Sequence, residues 1–301
     1  MNTSVTIAGV TFKNPVITAS GTFGFGREYA EFYPLSALGG VCTKGLTVEE
    51  RQGNPSPRVA ETPSGMLNSV GLQNPGVDHY LEHYDKWLSE QGTVVIANIA
   101  GHKLEDYEEM ARRISGSRAD MVELNISCPN VRSGGMAFGV QPESVRKVTE
   151  TVKRACSKPV ITKLTPNVSC IADNAKAAED GGADAISVIN TLTGMAVDYK
   201  TRRPILANNT GGLSGPCVKP VALRMVWECY NAVKIPVIGL GGITSWTDVL
   251  EFMICGARAV QVGTATLSDP YAAFTIAKDL EKYAQETDAD LNALVGTLQL
   301  N

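Results

Sequence analysis

The chain has 301 residues, of which 44% are hydrophobic and 19% charged. That excludes a disordered chain and supplies enough apolar material for a sizeable core. Lys and Arg number 27 against 31 Asp and Glu, a formal net charge of −4, which speaks against a broad nucleic-acid-binding surface but leaves room for a local basic pocket.

The opening segment MNTSVTIAGVTFKNPV has no basic region followed by an apolar run, so we expect no secretion signal. Its two short alternating runs flank a glycine and predict a small hairpin. A recurring unit follows. A short apolar or β-branched run leads into a loop rich in Gly, Ser and Asn, and then into a helical pattern. The runs begin near Val16, Gly40, Val94, Met121, Val160, Ala185, Val237 and Ala259. Helical patterns cover Val77 to Glu90, Leu104 to Ser115, Glu143 to Ala155, Ile171 to Glu179, Val218 to Tyr230, Thr247 to Cys255 and Tyr271 to Ala284. Glu143 and Lys147 are spaced for an i,i+4 pair, and His79 and His83 share one helix face. The segments from Glu49 to Pro75 and from Met195 to Pro216 read as long loops, which in a compact domain usually serve function.

Two units repeat. The one from Pro159 and the one from Pro236 each run Pro-Val-Ile, polar loop, helix, Gly-Ala, new strand. Eight such strands with right-handed crossovers predict a closed (β/α)8 TIM barrel with an N-terminal hairpin and inserted loops at the carboxyl-end face, a single domain spanning residues 1–301. The rival, a doubly wound sheet, expects a glycine fingerprint that ASGTFGFG does not match.

In a barrel the strand ends open on one face, where active sites form. GLGGI (239–243), QVGTA (261–265) and GGLSG (211–215) then offer backbone amides for a phosphate. Lys44 and Lys163 stand at strand ends. Each reads as a cation for an anionic ligand or electron-rich ring, and Lys163 alternatively as a Schiff-base amine. In NISCPN, Cys128 has polar neighbours and is followed by Gly134, Gly135 and Gly139, a stretch that could form a lid. Its thiolate could serve as base or nucleophile. Asn68, Asn98, Asn125, Asn130 and Asn190 suggest a planar polar ligand whose edges all need partners. The seven cysteines (Cys42, Cys128, Cys156, Cys170, Cys217, Cys229 and Cys255) form no CxxC pair, and with three histidines no zinc set is expected. Their odd number suggests a reducing, cytoplasmic compartment. No run approaches the roughly 18 apolar residues of a membrane span.

Taken together, PVITASGTFGFG, TKG, GNPSPRVAETPSGMLNSVGLQNPG, NISCPN, KLTPN, GGLSG, GLGGI and QVGTA resemble the dihydroorotate dehydrogenases, from about residue 5 to 290. The closest likeness is to catalytic subunits of the bacterial class 1B enzymes. The resemblance implies a cytoplasmic FMN barrel that oxidises (S)-dihydroorotate to orotate in pyrimidine biosynthesis. Electrons would pass to NAD+ through a partner subunit carrying FAD and a [2Fe-2S] cluster, with two catalytic subunits at the core of a heterotetramer. It also implies roles. Cys128 is similar to the base that takes the C5 proton, while the C6 hydride goes to flavin N5. Lys44, Asn68, Ser69, Val70, Gly71, Leu72, Asn125, Asn130, Asn190 and Thr191 match substrate-binding positions. Ala19, Ser20, Gly21, Thr43, Lys44, Asn98, Asn125, Lys163, Ile189, Gly215, Gly241, Gly242, Gly263 and Thr264 match flavin-binding positions. No metal is expected on this chain. The alternatives are a class 1A-like, fumarate-reducing enzyme and a related barrel oxidising dihydropyrimidines. More distant readings are a phosphate-binding aldolase using Lys163 and a non-catalytic flavin-storing barrel.

Overall fold

Eight parallel strands close into a barrel in a computed structural model that describes residues 2–126 and 138–301. They are Val16–Thr18, Gly40–Cys42, Val94–Ile99, Met121–Asn125, Val160–Leu164, Ala185–Val188, Val237–Leu240 and Ala257–Val262. Neighbours in the barrel are neighbours in the chain, as right-handed crossovers require. Strands that pack side chains inward and helices outward are buried on both faces, hence their near-continuous apolar runs. Every residue of Val160–Leu164 and Val237–Leu240 is buried. The expected strand starts recur, the last beginning two residues earlier, at Ala257. The hairpin pairs Val5–Ile7 with Val10–Phe12.

The helices form the outer layer. Leu104–Ser115 buries Tyr107, Met110, Ala111 and Ile114, a stripe spaced i, i+3, i+4, i+7 against the strands. Pro142 opens the helix Pro142–Ala155 at a position where its missing N–H costs nothing. The repeated units are both βαβ: Ile171–Asp180 and Trp246–Ile254 connect consecutive barrel strands. The other outer helices near their expected ranges are Lys219–Ala232 and Ala272–Thr287. His79 and His83 lie with ring centroids 4.3 Å apart.

Three expectations need correction. The helix expected from Val77 to Glu90 is two helices, Val77–His83 and Asp85–Ser89, broken at Tyr84. Tertiary contacts fix the break. The Tyr84 ring packs 4.4 Å from that of Phe25 and 4.7 Å from the Arg27 guanidinium carbon, and the Asp85 carboxylate accepts the Arg118 N–H at 3.0 Å. The pair Glu143–Lys147 is replaced by Glu143–Arg146 at 3.3 Å, the i,i+3 neighbour with the longer reach.

The two long loops are the third correction. They contribute Val59–Thr62, Gly65–Asn68 and Gly211–Ser214 to one antiparallel sheet, which Leu192–Gly194, just before the second loop, completes. Its register pairs Asn68 with Gly212 and Leu192 with Leu213. Ala60, Leu67 and Leu206 form a small core of its own. Among the described residues no helix is long and apolar enough to cross a membrane.

Candidate active site

A cavity of about 970 Å³ opens where the barrel strands end and the antiparallel sheet leans over them. It is at the upper end of the size typical of a ligand pocket. Of the expected site residues that are described, all but Thr43 line it. Thr43 lies behind the wall, where its hydroxyl accepts the Asn98 N–H at 3.1 Å. Cys128 and Asn130 lie outside the described residues, as does most of the glycine-rich stretch that follows them.

The floor is polar. Lys163, 3% exposed, donates to Glu123 Oε1 at 3.3 Å, to Ser20 Oγ at 3.3 Å and to Gln261 Oε1 at 3.4 Å. Asn98 donates its amide to Glu123 at 2.7 Å, while its Oδ1 is buried and has no partner among the described residues. Burial by itself would raise the Glu123 carboxyl, but the Lys163 ammonium and hydrogen bonds from Gln261, Ser187 and Asn98 outweigh it and hold the group below the ordinary carboxylate range. Burial first, and the Glu123 charge second, push the neighbouring Cys42 thiol well up, so it stays a thiol.

One side wall comes from NSVGL (68–72). Asn54 braces this loop, donating from its backbone to Val70 O at 2.9 Å and from its amide to Ser69 Oγ at 3.1 Å. Ser69 N–H donates to Arg58 O at 2.7 Å. Gly71 has φ +77°, and a Cβ there would stand 2.7 Å from the Asn54 side chain, so only glycine fits without displacement. Asn68 reaches Gly212 O at 3.4 Å, tying the loop to the sheet. Asn190 and Asn125 meet across the pocket at 3.5 Å, and the Thr191 N–H donates to Asn190 Oδ1 at 2.9 Å. Burial, and secondly the nearby Arg58 charge, lower the pKa of Lys44 from its ordinary value.

The opposite wall is glycine-rich. A Cβ on Gly242 would stand 2.9 Å from Gly215 O, so the Gly241-Gly242 turn and the end of GGLSG lie against one another. Thr264 donates to Ser214 Oγ at 2.9 Å, which brings in the third segment. Such a meeting of backbone turns suits a phosphate group. At Gly21, with φ +90°, a Cβ would meet nothing within 4 Å, leaving a smooth wall. A flat ring with N–H and carbonyl edges, attached to a phosphate, fits this set: Asn98, the Lys163 cation and the glycine cradle all line the cavity.

Several residues of this site escaped the sequence reading. Glu123, Gln261 and Ser187 are buried and sit inside barrel strands, where apolar residues dominate. The signal was a lone carboxylate in MVELN and a lone amide in ARAVQV. Arg58 and Asn54 fell within a segment read as loop.

Comparison with known proteins agrees. Residues 2–283 match the family model described as dihydroorotate dehydrogenase. A protein of Thermoanaerobacter pseudethanolicus named dihydroorotate dehydrogenase B (NAD(+)), catalytic subunit, is 51% identical over 302 residues, all of both chains. The proteins of the same name from Geobacter sulfurreducens and Desulforamulus reducens are each 53% identical, over 99% and 100% of this chain and 98% and 99% of theirs.

Proposed function

The chain belongs to the dihydroorotate dehydrogenase family, and on that premise we propose that it oxidises (S)-dihydroorotate to orotate as the catalytic subunit of an NAD+-linked enzyme of pyrimidine biosynthesis. The observation that carries the reading is convergence: residues from all eight motifs singled out in the sequence line one cavity. The cofactor we assign is FMN, one per subunit, in one barrel domain spanning residues 1–301. When bound, FMN supplies the acceptor for the C6 hydride.

The chain's own residues then have these tasks. Gly215, Gly241, Gly242, Gly263 and Thr264 hold the phosphate. Ala19, Ser20, Gly21, Asn98, Lys163 and Ile189 hold the ring system, with Thr43 fixing Asn98 from behind. Lys163 places a positive charge where the reduced ring gathers electrons. Asn68, Asn125, Asn130 and Asn190 bind the edges of the pyrimidine. Ser69, Val70, Gly71, Leu72 and Thr191 close around it, and Lys44 balances the substrate carboxylate. Cys128 removes the C5 proton. Holding substrate, base and hydride acceptor together before reaction would remove the entropy cost that an encounter in solution pays.

The electrons leave through a partner subunit holding FAD and a [2Fe-2S] cluster, in an assembly built on a dimer of catalytic subunits. The chain itself has no ferredoxin-type cysteine spacing to hold such a cluster. Exposed Phe32, Leu267 and Tyr271, with Leu267 on the cavity wall, support a docking face near the cofactor. Among the described residues Cys42, Cys156, Cys170, Cys217, Cys229 and Cys255 are free thiols, which supports a reducing, cytoplasmic location.

The test is the visible spectrum of the purified chain before and after anaerobic addition of dihydroorotate. A flavin spectrum that bleaches supports the reading. A flavin spectrum that does not respond sinks the substrate, and a chain that takes up no FMN sinks the cofactor. NAD+ and fumarate, tried as acceptors with and without the partner, then separate the NAD+-linked enzyme from the fumarate-reducing alternative.

A further inference from the structure

Glu123 does not line the cavity, yet it is the centre of the polar network beneath it. Its carboxylate is fully buried and accepts five described hydrogen bonds. Cys42 Sγ at 3.3 Å, Asn98 Nδ2 at 2.7 Å and Lys163 Nζ at 3.3 Å share Oε1. Ser187 Oγ at 2.9 Å and Gln261 Nε2 at 2.6 Å share Oε2. Each donor stands on a different barrel strand. A buried carboxylate costs several kcal/mol unless paired and fully hydrogen-bonded, and here both conditions hold. Three of its donors (Asn98, Lys163 and Gln261) also line the cavity. Gln261 clamps the ion pair, donating to Glu123 while its own Oε1 accepts from Lys163.

We propose that Glu123 is a positioning residue. Acting through Lys163, it holds the ammonium in one place under the cofactor and partly offsets its charge, and so sets the reduction potential of the bound flavin. The proposal rests on the FMN reading above. The physical reason is direct. Reduction adds negative charge to the ring. A fixed ammonium favours that form, and a carboxylate behind the ammonium weakens the effect in a poorly screened interior. Removing the carboxylate while leaving the ammonium makes reduction easier.

The experiment is a redox titration of the FMN-loaded chain at neutral pH for the native protein, Glu123→Gln, Glu123→Asp, Lys163→Met and the double variant. Glu123→Gln is expected to favour the reduced form by tenfold or more, a rise of about 30 mV for a two-electron couple. Glu123→Asp, which keeps the charge, stays near the native value. In the Lys163→Met background the Glu123→Gln effect falls below tenfold. A Glu123→Gln protein that retains FMN with a shift below tenfold overturns the proposal, as does a full shift that persists without Lys163. Should Glu123→Gln fail to retain FMN, affinities decide. Lys163→Met leaves a buried carboxylate uncompensated, so the double variant should bind FMN at least as tightly as that single variant, and tenfold weaker binding overturns the proposal. A native chain that takes up no FMN fails the cofactor reading itself and the proposal with it, an outcome distinct from bound flavin with an unmoved potential.

Discussion

In the roles proposed for them, Cys128 as base and Lys44 as carboxylate partner would govern how the first half-reaction depends on pH. A free thiol titrates near 8.5, and only the thiolate accepts the C5 proton. The rate of flavin bleaching by dihydroorotate, followed by stopped flow, should therefore rise with pH through the thiol's titration. A flat profile with chemistry rate-limiting would remove Cys128 from the role of base. Cys128→Ser should slow the step by about a hundredfold or more at neutral pH, within the range general-base catalysis contributes. Lys44 acts in the other direction. Burial, then Arg58, lowers its pKa, so its ammonium loses its proton at a lower pH than an ordinary lysine. Orotate affinity, read from the flavin spectrum, should fall on the alkaline side. Lys44→Met should weaken binding at neutral pH and abolish that alkaline fall.

Two elements deserve separate tests. The sheet over the cavity packs on Leu67, which is 1% exposed, while the barrel beneath has its own core. Leu67→Ala removes about 2–5 kcal/mol of packing in a typical core. The loss here should be local: hydrogen exchange should quicken across residues 59–68 and 211–214, leave the barrel strands protected, and raise KM for dihydroorotate. Uniformly faster exchange would show that the sheet and barrel unfold as one. The second element is the helix Trp246–Ile254, capped by Ser245 and Asp248. The Asp248 carboxylate accepts from Thr244 N at 2.7 Å, Ser245 N at 2.9 Å and Lys219 Nζ at 2.6 Å. Burial would raise its pKa, but these partners outweigh it and hold the group below the ordinary value. Its stabilisation is thus present above the unfolded-state value near 3.9 and is lost as pH falls through the depressed folded value. Thermal melts should show Asp248→Asn less stable than the native chain at neutral pH and less sensitive to acid; parallel acid limbs would contradict this.

For the whole molecule, the barrel explains why the candidate site gathers at one end. Closure turns the carboxyl ends of eight strands toward one mouth, and residues 144 positions apart meet there, as Asn68 and Gly212 do. Absorbance at the reduced nicotinamide band should show dihydroorotate-driven NAD+ reduction only when the FAD and iron–sulfur subunit is added, although the isolated chain bleaches its own flavin. Rapid NAD+ reduction by the chain alone would place the acceptor site on the barrel and remove the need for a partner.

Local chemistry in the sequence determined the barrel. Buried parallel strands need continuous apolar runs, and each run here ends in a Gly, Ser, Asn or Lys loop, so strand starts and the residues facing the mouth were both readable. The repeat from Pro159 and Pro236 conveyed the βαβ unit directly. NISCPN singled out Cys128 by its neighbours alone. What the tertiary structure decided were long-range contacts with weak local signals. The antiparallel sheet is built partly from GGLS, whose low strand propensity gives no pattern, and its register depends on partners far away in the chain. Tyr84 ends a helix because Phe25 and Arg27 hold its ring. Glu123 reads as one polar residue in a strand. Only barrel closure, which sets five donors from five other strands around its carboxylate, makes it the centre of the site's electrostatics.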